Sequence, residues 1–216
     1  MKLYGYWRSG TSFRVRVALA LKGATIEQIP VNLLSSEHRG EEYRKINPQG
    51  LVPTLALDDG SYLSQSPAII EYLDEALPGP KLLPDDPLEK ARARQLAAVI
   101  GCDIHPLQNL RVLKYLQGEL DQDQPTAFAW AAHWIEVGFE ALEELLPSAD
   151  QSDGPFLMGK TPSLPDCYLL PQLYAANRFG ADLSRFPRLT TIRDALMDLP
   201  EIPATLPENQ PDAPKD

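Results

Sequence analysis

Apolar positions along the chain follow two rhythms. Up to residue 77, short strand-like stretches alternate with helical ones, whereas beyond residue 88 apolar residues recur every three or four positions, the period of one helix face. Lys2–Tyr6 predicts a strand, and Phe13–Lys22 (FRVRVALALK) predicts a helix stopped by Gly23. Thr25–Leu33 predicts a second strand, placed at a sheet edge by Pro30. A short polar helix or turn follows over Glu37–Lys45. Val52–Leu57 and Ser61–Leu63 predict a hairpin turning at Asp59-Gly60. Ser66-Pro67 predicts the next helix, with Ser at the N-cap and Pro behind it. The order over residues 1–77 is βαβαββα.

Pro78, Pro80, Pro84 and Pro87 make 78–87 a linker. Residues 88–199 predict an all-helical domain, with helical runs over Leu88–Gly118, Ala127–Leu146 and Leu164–Phe179. Ser163-Leu-Pro-Asp166 has the form of a capping box ahead of the third run. Five prolines without apolar periodicity predict a mobile tail over 200–216. The expected fold class is α/β plus all-α.

The 216 residues carry a net charge of −10, distributed unevenly: residues 1–50 are +4 and the remainder −14. Such a balance repels the nucleic-acid backbone, so nucleic acid is not an expected partner. No apolar run approaches the ~20 residues of a membrane span, and Arg8 interrupts the start where a signal peptide needs an apolar stretch, so the expectation is a cytoplasmic chain without a membrane partner. Cys102 and Cys167 lie far apart among apolar neighbours, which suggests reduced packing residues and neither a disulfide framework nor a zinc site.

Candidate chemistry gathers at few places. Ser9, Thr11 and Ser12 occupy the turn where the first helix begins, and a helix start offers unpaired N–H groups and partial positive charge. Were the bound anion a thiolate, a hydroxyl donor beside it would lower a thiol pKa that is ~8.5 when free. Helix capping is the plainer use of such serines. With no cysteine in this turn, the chain has no protein thiolate to offer there. Gln65-Ser66 opens another helix able to hold a carboxylate. In the helical domain, Asp103, His105, Asn109 and Arg111 interrupt an apolar stripe. On one ideal helix Arg111 points about 200° away from Asn109, so these residues share a pocket only if Pro106 bends the helix or one faces a second subunit. Arg8 and Arg178 are the arginines placed to receive carboxylates, whereas Arg14 and Arg16 read as structural.

The stretch Arg8-Ser-Gly-Thr-Ser-Phe-Arg-Val-Arg-Val-Ala-Leu19, with Asn47-Pro-Gln-Gly-Leu-Val-Pro-Thr54, Gln65-Ser-Pro-Ala-Ile-Ile-Glu-Tyr72 and Asp103-Ile-His-Pro-Leu-Gln-Asn-Leu-Arg111, resembles the zeta class of cytosolic glutathione transferases. The resemblance spans both domains; Ser9-Gly10-Thr11 stands where the signature often reads Ser-Ser-Cys. It implies a thioredoxin-like N-terminal domain before a helical one, glutathione as cofactor and a homodimer. The implied activity is cis–trans isomerisation of maleylacetoacetate, a maleyl dicarboxylate of aromatic catabolism. Among site residues it implies Ser9 as thiolate donor, with Thr11 and Ser12 as alternates, and Arg8 beside the reacting dicarboxylate. A cis Val52-Pro53 would present the Val52 backbone to glutathione, Gln65-Ser66 would hold its γ-glutamyl carboxylate, and His38 and Gln49 would reach its glycyl end. Asp103 and His105 are also assigned to the cofactor; Asn109, Arg111 and Arg178 join Arg8 for the substrate. Maleylpyruvate isomerase, a general conjugating transferase and a non-catalytic binding module with the same fold remain alternatives.

Overall fold

The strand predicted at the start of the chain, Lys2–Gly5 (β1), lies inside a four-stranded sheet, and its Leu3 is fully buried. The structure, a computed structural model, describes residues 1–146 and 153–215. Part of the expected helical domain (147–152) and the last residue of the expected tail lie outside the described residues. β1 pairs in parallel with Glu27–Pro30 (β2), Lys2 opposite Glu27, and antiparallel with Thr54–Ala56 (β3), Leu3 opposite Leu55. Tyr62–Ser64 (β4) completes the order β2-β1-β3-β4. Pro30 therefore sits on an edge strand, where its missing N–H costs no ladder bond.

Gly10–Leu21 (α1) and Ser66–Ala76 (α3) pack against each other, and Glu41–Ile46 (α2) lies between β2 and β3 in the chain. Nearly every residue of α1 from Ser12 to Leu21 is buried, including Arg14 and Arg16, and so is Lys22 directly after it. Cations so placed need partners, since an unpaired buried charge costs several kcal/mol (of order ~3–5). Lys22 Nζ donates to Asp74 Oδ1 (3.0 Å), Asp74 O (3.1 Å) and Pro80 O (3.0 Å). Arg16 donates from Nε to Thr205 O (3.0 Å) and from Nη2 to Trp7 O (2.9 Å). Three of the eight basic residues among the first 50, Arg14, Arg16 and Lys22, are thus internal.

Met1–Leu82 and the described residues from Leu199 onward form one compact unit, and Leu83–Asp198 forms another. The expectation of a mobile tail over 200–216 is corrected, because Ile202, Thr205 and Pro207 are buried and Arg16 holds Thr205 O. Two short 3-10 turns, Pro203–Thr205 and Pro207–Asn209, give these prolines a conformation that their fixed φ favours.

The second unit contains Pro87–Ala98 (α4), Leu110–Gly118 (α5), Gln124–Leu145 (α6), Leu164–Phe179 (α7) and Pro187–Met197 (α8). Its core includes Ile100, Ile104, Ile135, Phe139, Leu169, Leu173 and Leu189. The continuous helix expected over Leu88–Gly118 is broken: Val99–Ile104 is a π-helical turn, His105 N–H reaches back to Ile100 O, and Pro106 supplies no donor. Cys167 is buried as expected, but Cys102 is exposed, so its reading as a packing residue is corrected.

The capping box before α7 is formed. Asp166 Oδ2 accepts from the Ser163 N–H and hydroxyl, both at 2.8 Å, and Oδ1 accepts from Leu157 N–H at 3.1 Å. Burial outweighs these bonds and pushes the Asp166 carboxyl up to about 6, from 3.8. Between those values the folded state holds a proton that the unfolded state has released, so this group's contribution to stability rises as pH falls through the window. The stability advantage of the native protein over Asp166→Asn, which does not titrate, should therefore grow by up to ~3 kcal/mol from about pH 7 to about pH 4. Denaturant titrations at both pH values would check this; an advantage that shrank would contradict it.

Candidate active site

Ser9 is the N-cap of α1, and its Oγ accepts from Ser12 N–H at 3.2 Å. Its hydroxyl also lies 2.9 Å from Thr11 Oγ1, which donates to Val52 O at 2.9 Å. Thr11 has one hydroxyl proton, committed to Val52, so the shared bond must be donated by Ser9. Ser9 thus holds the proton at the free end of a three-member chain, and both Ser9 and Thr11 are partly accessible. Ser12 is different: it is fully buried against Gly5, and its Oγ accepts from Tyr6 N–H at 3.4 Å. The alternate role expected for Ser12 as thiolate donor is corrected on that ground, which leaves Ser9 and Thr11.

The Val52–Pro53 peptide is cis. The expectation that both Val52 backbone groups await a ligand is corrected for the carbonyl, which Thr11 already engages. Among the described residues the Val52 N–H has no backbone partner. The preceding carbonyl, Leu51 O, accepts from Tyr43 Oη (2.8 Å) and Asn47 Nδ2 (2.7 Å). Burial pushes the Tyr43 phenol up, which keeps it a donor. Asn47 also donates to the buried Thr54 hydroxyl (3.2 Å). Sequence reasoning assigned no role to Tyr43, Asn47 or Thr54, although Asn47 and Thr54 bound one of the stretches that carry the resemblance. Beside them, Gly50 has φ +60, and a Cβ there would stand 2.8 Å from His38 O, so the chain must pass close. His38 itself is buried, not a solvated surface histidine.

Gln65, not Ser66, is the N-cap of α3, and this corrects the local expectation. Gln65 has φ 72, a left-handed backbone in a non-glycine residue, of the kind that clusters at ligand sites. Its Nε2 donates to Gln49 Oε1 at 2.7 Å, which joins two residues assigned to the cofactor. No side chain caps α3, so its first N–H groups are left for an acceptor from outside the helix. Buried Arg14 reaches Ser66 Oγ at 3.5 Å and adds positive charge beneath that end. The bond accords with the structural reading of Arg14 and places its charge next to a residue assigned to the cofactor. An uncapped N-terminus over a buried cation suits a carboxylate, and an N–H beside Pro53 suits an extended peptide, so these residues fit glutathione.

Arg8 directly precedes the Ser9 cap, with its guanidinium carbon 5.0 Å from the centre of the Trp7 ring. The remaining assigned residues belong to the second unit. Asp103 is exposed and His105 half-buried around the π-helical break. Asn109 caps α5 by accepting from Arg111 N–H at 3.1 Å, and the Arg111 side chain is exposed. Because Asn109 is the N-cap of α5, with an extended backbone (φ −61, ψ 146), the ideal-helix angle of about 200° between Asn109 and Arg111 does not apply. Arg178 lies in the last turn of α7, exposed, 5.0 Å from the Phe179 ring centre.

The glutathione S-transferase N-terminal domain family matches residues 8–76, the stretch that contains Arg8, Ser9, Thr11, Val52, Pro53 and Gln65. The chain is 48% identical over 216 residues to a maleylacetoacetate isomerase from Pseudomonas aeruginosa, covering 99% of each. It is 45% identical to a solved maleylpyruvate isomerase described as a bacterial zeta-class glutathione S-transferase, with a TM-score of 0.95 over 99% of this chain and 100% of that one. A maleylacetoacetate isomerase from Methylobacterium extorquens AM1, solved with malonate and glutathione bound, is 36% identical with a TM-score of 0.94 over the full length of both chains. Fold, hydroxyl turn and full-length identity agree, and the chain belongs to the zeta class of the glutathione S-transferases.

Proposed function

We propose that this protein is a glutathione-dependent isomerase that converts a cis maleyl dicarboxylate, maleylacetoacetate in the first instance, into its trans fumaryl isomer. The observation that carries this reading is the Ser9–Thr11–Val52 hydroxyl chain at the head of α1. When bound, glutathione supplies a thiolate whose reversible addition makes the double bond a single bond free to rotate. Ser9 then has a defined task. Turning its proton from Thr11 to a bound anion exchanges a neutral hydrogen bond for a charge-assisted one, about twice as strong. The positive end of α1 adds to the same preference. Val52 N–H orients the cofactor backbone, while Gln65, Ser66 and the Arg14 charge behind them receive its carboxylate. Arg8 pairs with a substrate carboxylate and stabilises negative charge as it develops. Asn109, Arg111 and Arg178 are the substrate candidates of the second unit, and Asp103 and His105 its cofactor candidates.

Support for the substrate class comes from the relative solved with glutathione and malonate, itself a dicarboxylate. The family resemblance further supports a cytoplasmic homodimer working in aromatic catabolism; no helix among the described residues is long and apolar enough to cross a membrane. Maleylpyruvate is the second reading, favoured by a solved relative of that name at 45% identity. The test supplies each dicarboxylate with glutathione at far below the substrate concentration and follows both isomer and free thiol. Many turnovers with the thiol undiminished are expected. One thiol consumed per substrate would instead identify a conjugating transferase, and no reaction with retained glutathione binding would identify a binding module.

A further inference from the structure

The last described stretch of the chain bonds to Trp7, the residue before Arg8 and the Ser9 cap of α1. Asp212 Oδ2 accepts from Trp7 N–H at 2.9 Å, and Trp7 O accepts from Arg16 Nη2 at 2.9 Å. Arg16 is itself held through Nε by Thr205 O at 3.0 Å. Both backbone groups of Trp7 are therefore fixed by residues 205–212, one directly and one through a buried arginine. The Trp7 side chain is set as well, with its ring 5.8 Å from that of Tyr6, centre to centre, and the Arg8 guanidinium over it.

The clamp comes preassembled. Gln210 Nε2 donates to Ala204 O (2.9 Å) and Leu206 O (2.8 Å), Asn209 Nδ2 donates to Pro203 O (2.7 Å), and Ala213 N–H donates to Gln210 O (3.0 Å). Ile202 and Thr205 are buried beneath it. Five prolines (200, 203, 207, 211 and 214) restrict the segment, so little further conformational freedom is lost when it seats. Between β1 and the α1 cap, by contrast, the local bonds among the described residues are Tyr6 N–H to Ser12 Oγ and Ser9 N–H to Tyr6 O.

We propose that Asp212 is a positioning residue for the isomerisation: through the Trp7 N–H it fixes the ring against which Arg8 is set, and so aims Arg8 at the substrate carboxylate. The carboxyl-terminal strap is by this account a working part of the site. The inference rests on the role given to Arg8 under the proposed function. Misplacing a charge partner by an ångström can cost up to about a hundredfold, and a side chain that keeps its ring contact but loses one anchor should lose about tenfold.

The test compares Asp212→Ala, Asp212→Asn and a chain ending at Pro211 by three readouts: amide exchange at Trp7, the separate KM values for dicarboxylate and glutathione, and the thermal midpoint. Asp212→Ala and the shortened chain should both exchange faster at Trp7 and raise the dicarboxylate KM about tenfold, with glutathione KM and midpoint nearly unchanged. Asp212→Asn, which keeps an acceptor oxygen, should restore both the protection and the KM. Faster exchange with an unchanged dicarboxylate KM would overturn the proposal, as would a loss affecting both KM values together with the midpoint. If the unaltered protein had no isomerase activity, the proposed function would fail, and the exchange difference at Trp7 would still be seen.

Discussion

Replacing Ser9 with alanine is expected to lower turnover by about a hundredfold or more, while the KM for glutathione changes only a few-fold. The asymmetry follows from the site. In the proposed reading, Val52 N–H and the α3 N-terminus receive the peptide part of the cofactor, and neither is supplied by Ser9. What Ala removes is the Ser9 hydroxyl proton, the one proton of the Ser9–Thr11 pair that is not committed to Val52 O. It also removes the α1 cap, which costs about 1 kcal/mol of stability, so turnover should be expressed per folded molecule. Steady-state rates with both substrates varied make the measurement. Unchanged turnover would pass the donor role to Thr11, which would then have to release Val52 O.

The largest expected stability loss lies elsewhere, at Lys22. Its ammonium and the Asp74 carboxylate are almost wholly removed from water, with side-chain exposures of 0% and 2%. Lys22→Met leaves the buried Asp74 carboxylate without its cation, with the Leu82 N–H at 2.8 Å among its remaining partners, and should cost about 3–5 kcal/mol. The double substitution Lys22→Met with Asp74→Leu removes the orphaned charge too and should cost clearly less. Denaturant unfolding of the three proteins checks both statements. A single variant within about 1 kcal/mol of the native protein would mean that the pair is better solvated than its burial implies.

What the sequence disclosed, and what it hid, divides along the range of the interactions involved. Helix α7 was legible to its end residues, because Ser163 and Asp166 form its cap from three positions apart and Gly180 ends it. The hairpin and the edge position of Pro30 were likewise local matters. Arg14 and Arg16 were opaque because their partners, Ser66 and Thr205, stand 52 and 189 positions away. The carboxyl-terminal segment was misread for a related reason. Its order comes from 3-10 turns and from contact with α1, and neither leaves a periodic apolar signature. At the site, the residue types of the Ser9 turn pointed to anion binding without a structure. Which hydroxyl can turn its proton to a ligand without releasing Val52 O became decidable only once Val52 O was found to accept from Thr11 and Ser12 was found buried.

The central claim is that a thiol bound at the Ser9 turn makes and then releases a bond to a cis dicarboxylate. The most direct measurement is the rate of maleylacetoacetate isomerisation by the purified protein with and without glutathione, all else equal. Rapid formation of the fumaryl isomer is expected with glutathione, and none above background without it. Equal rates in the two samples would contradict the claim.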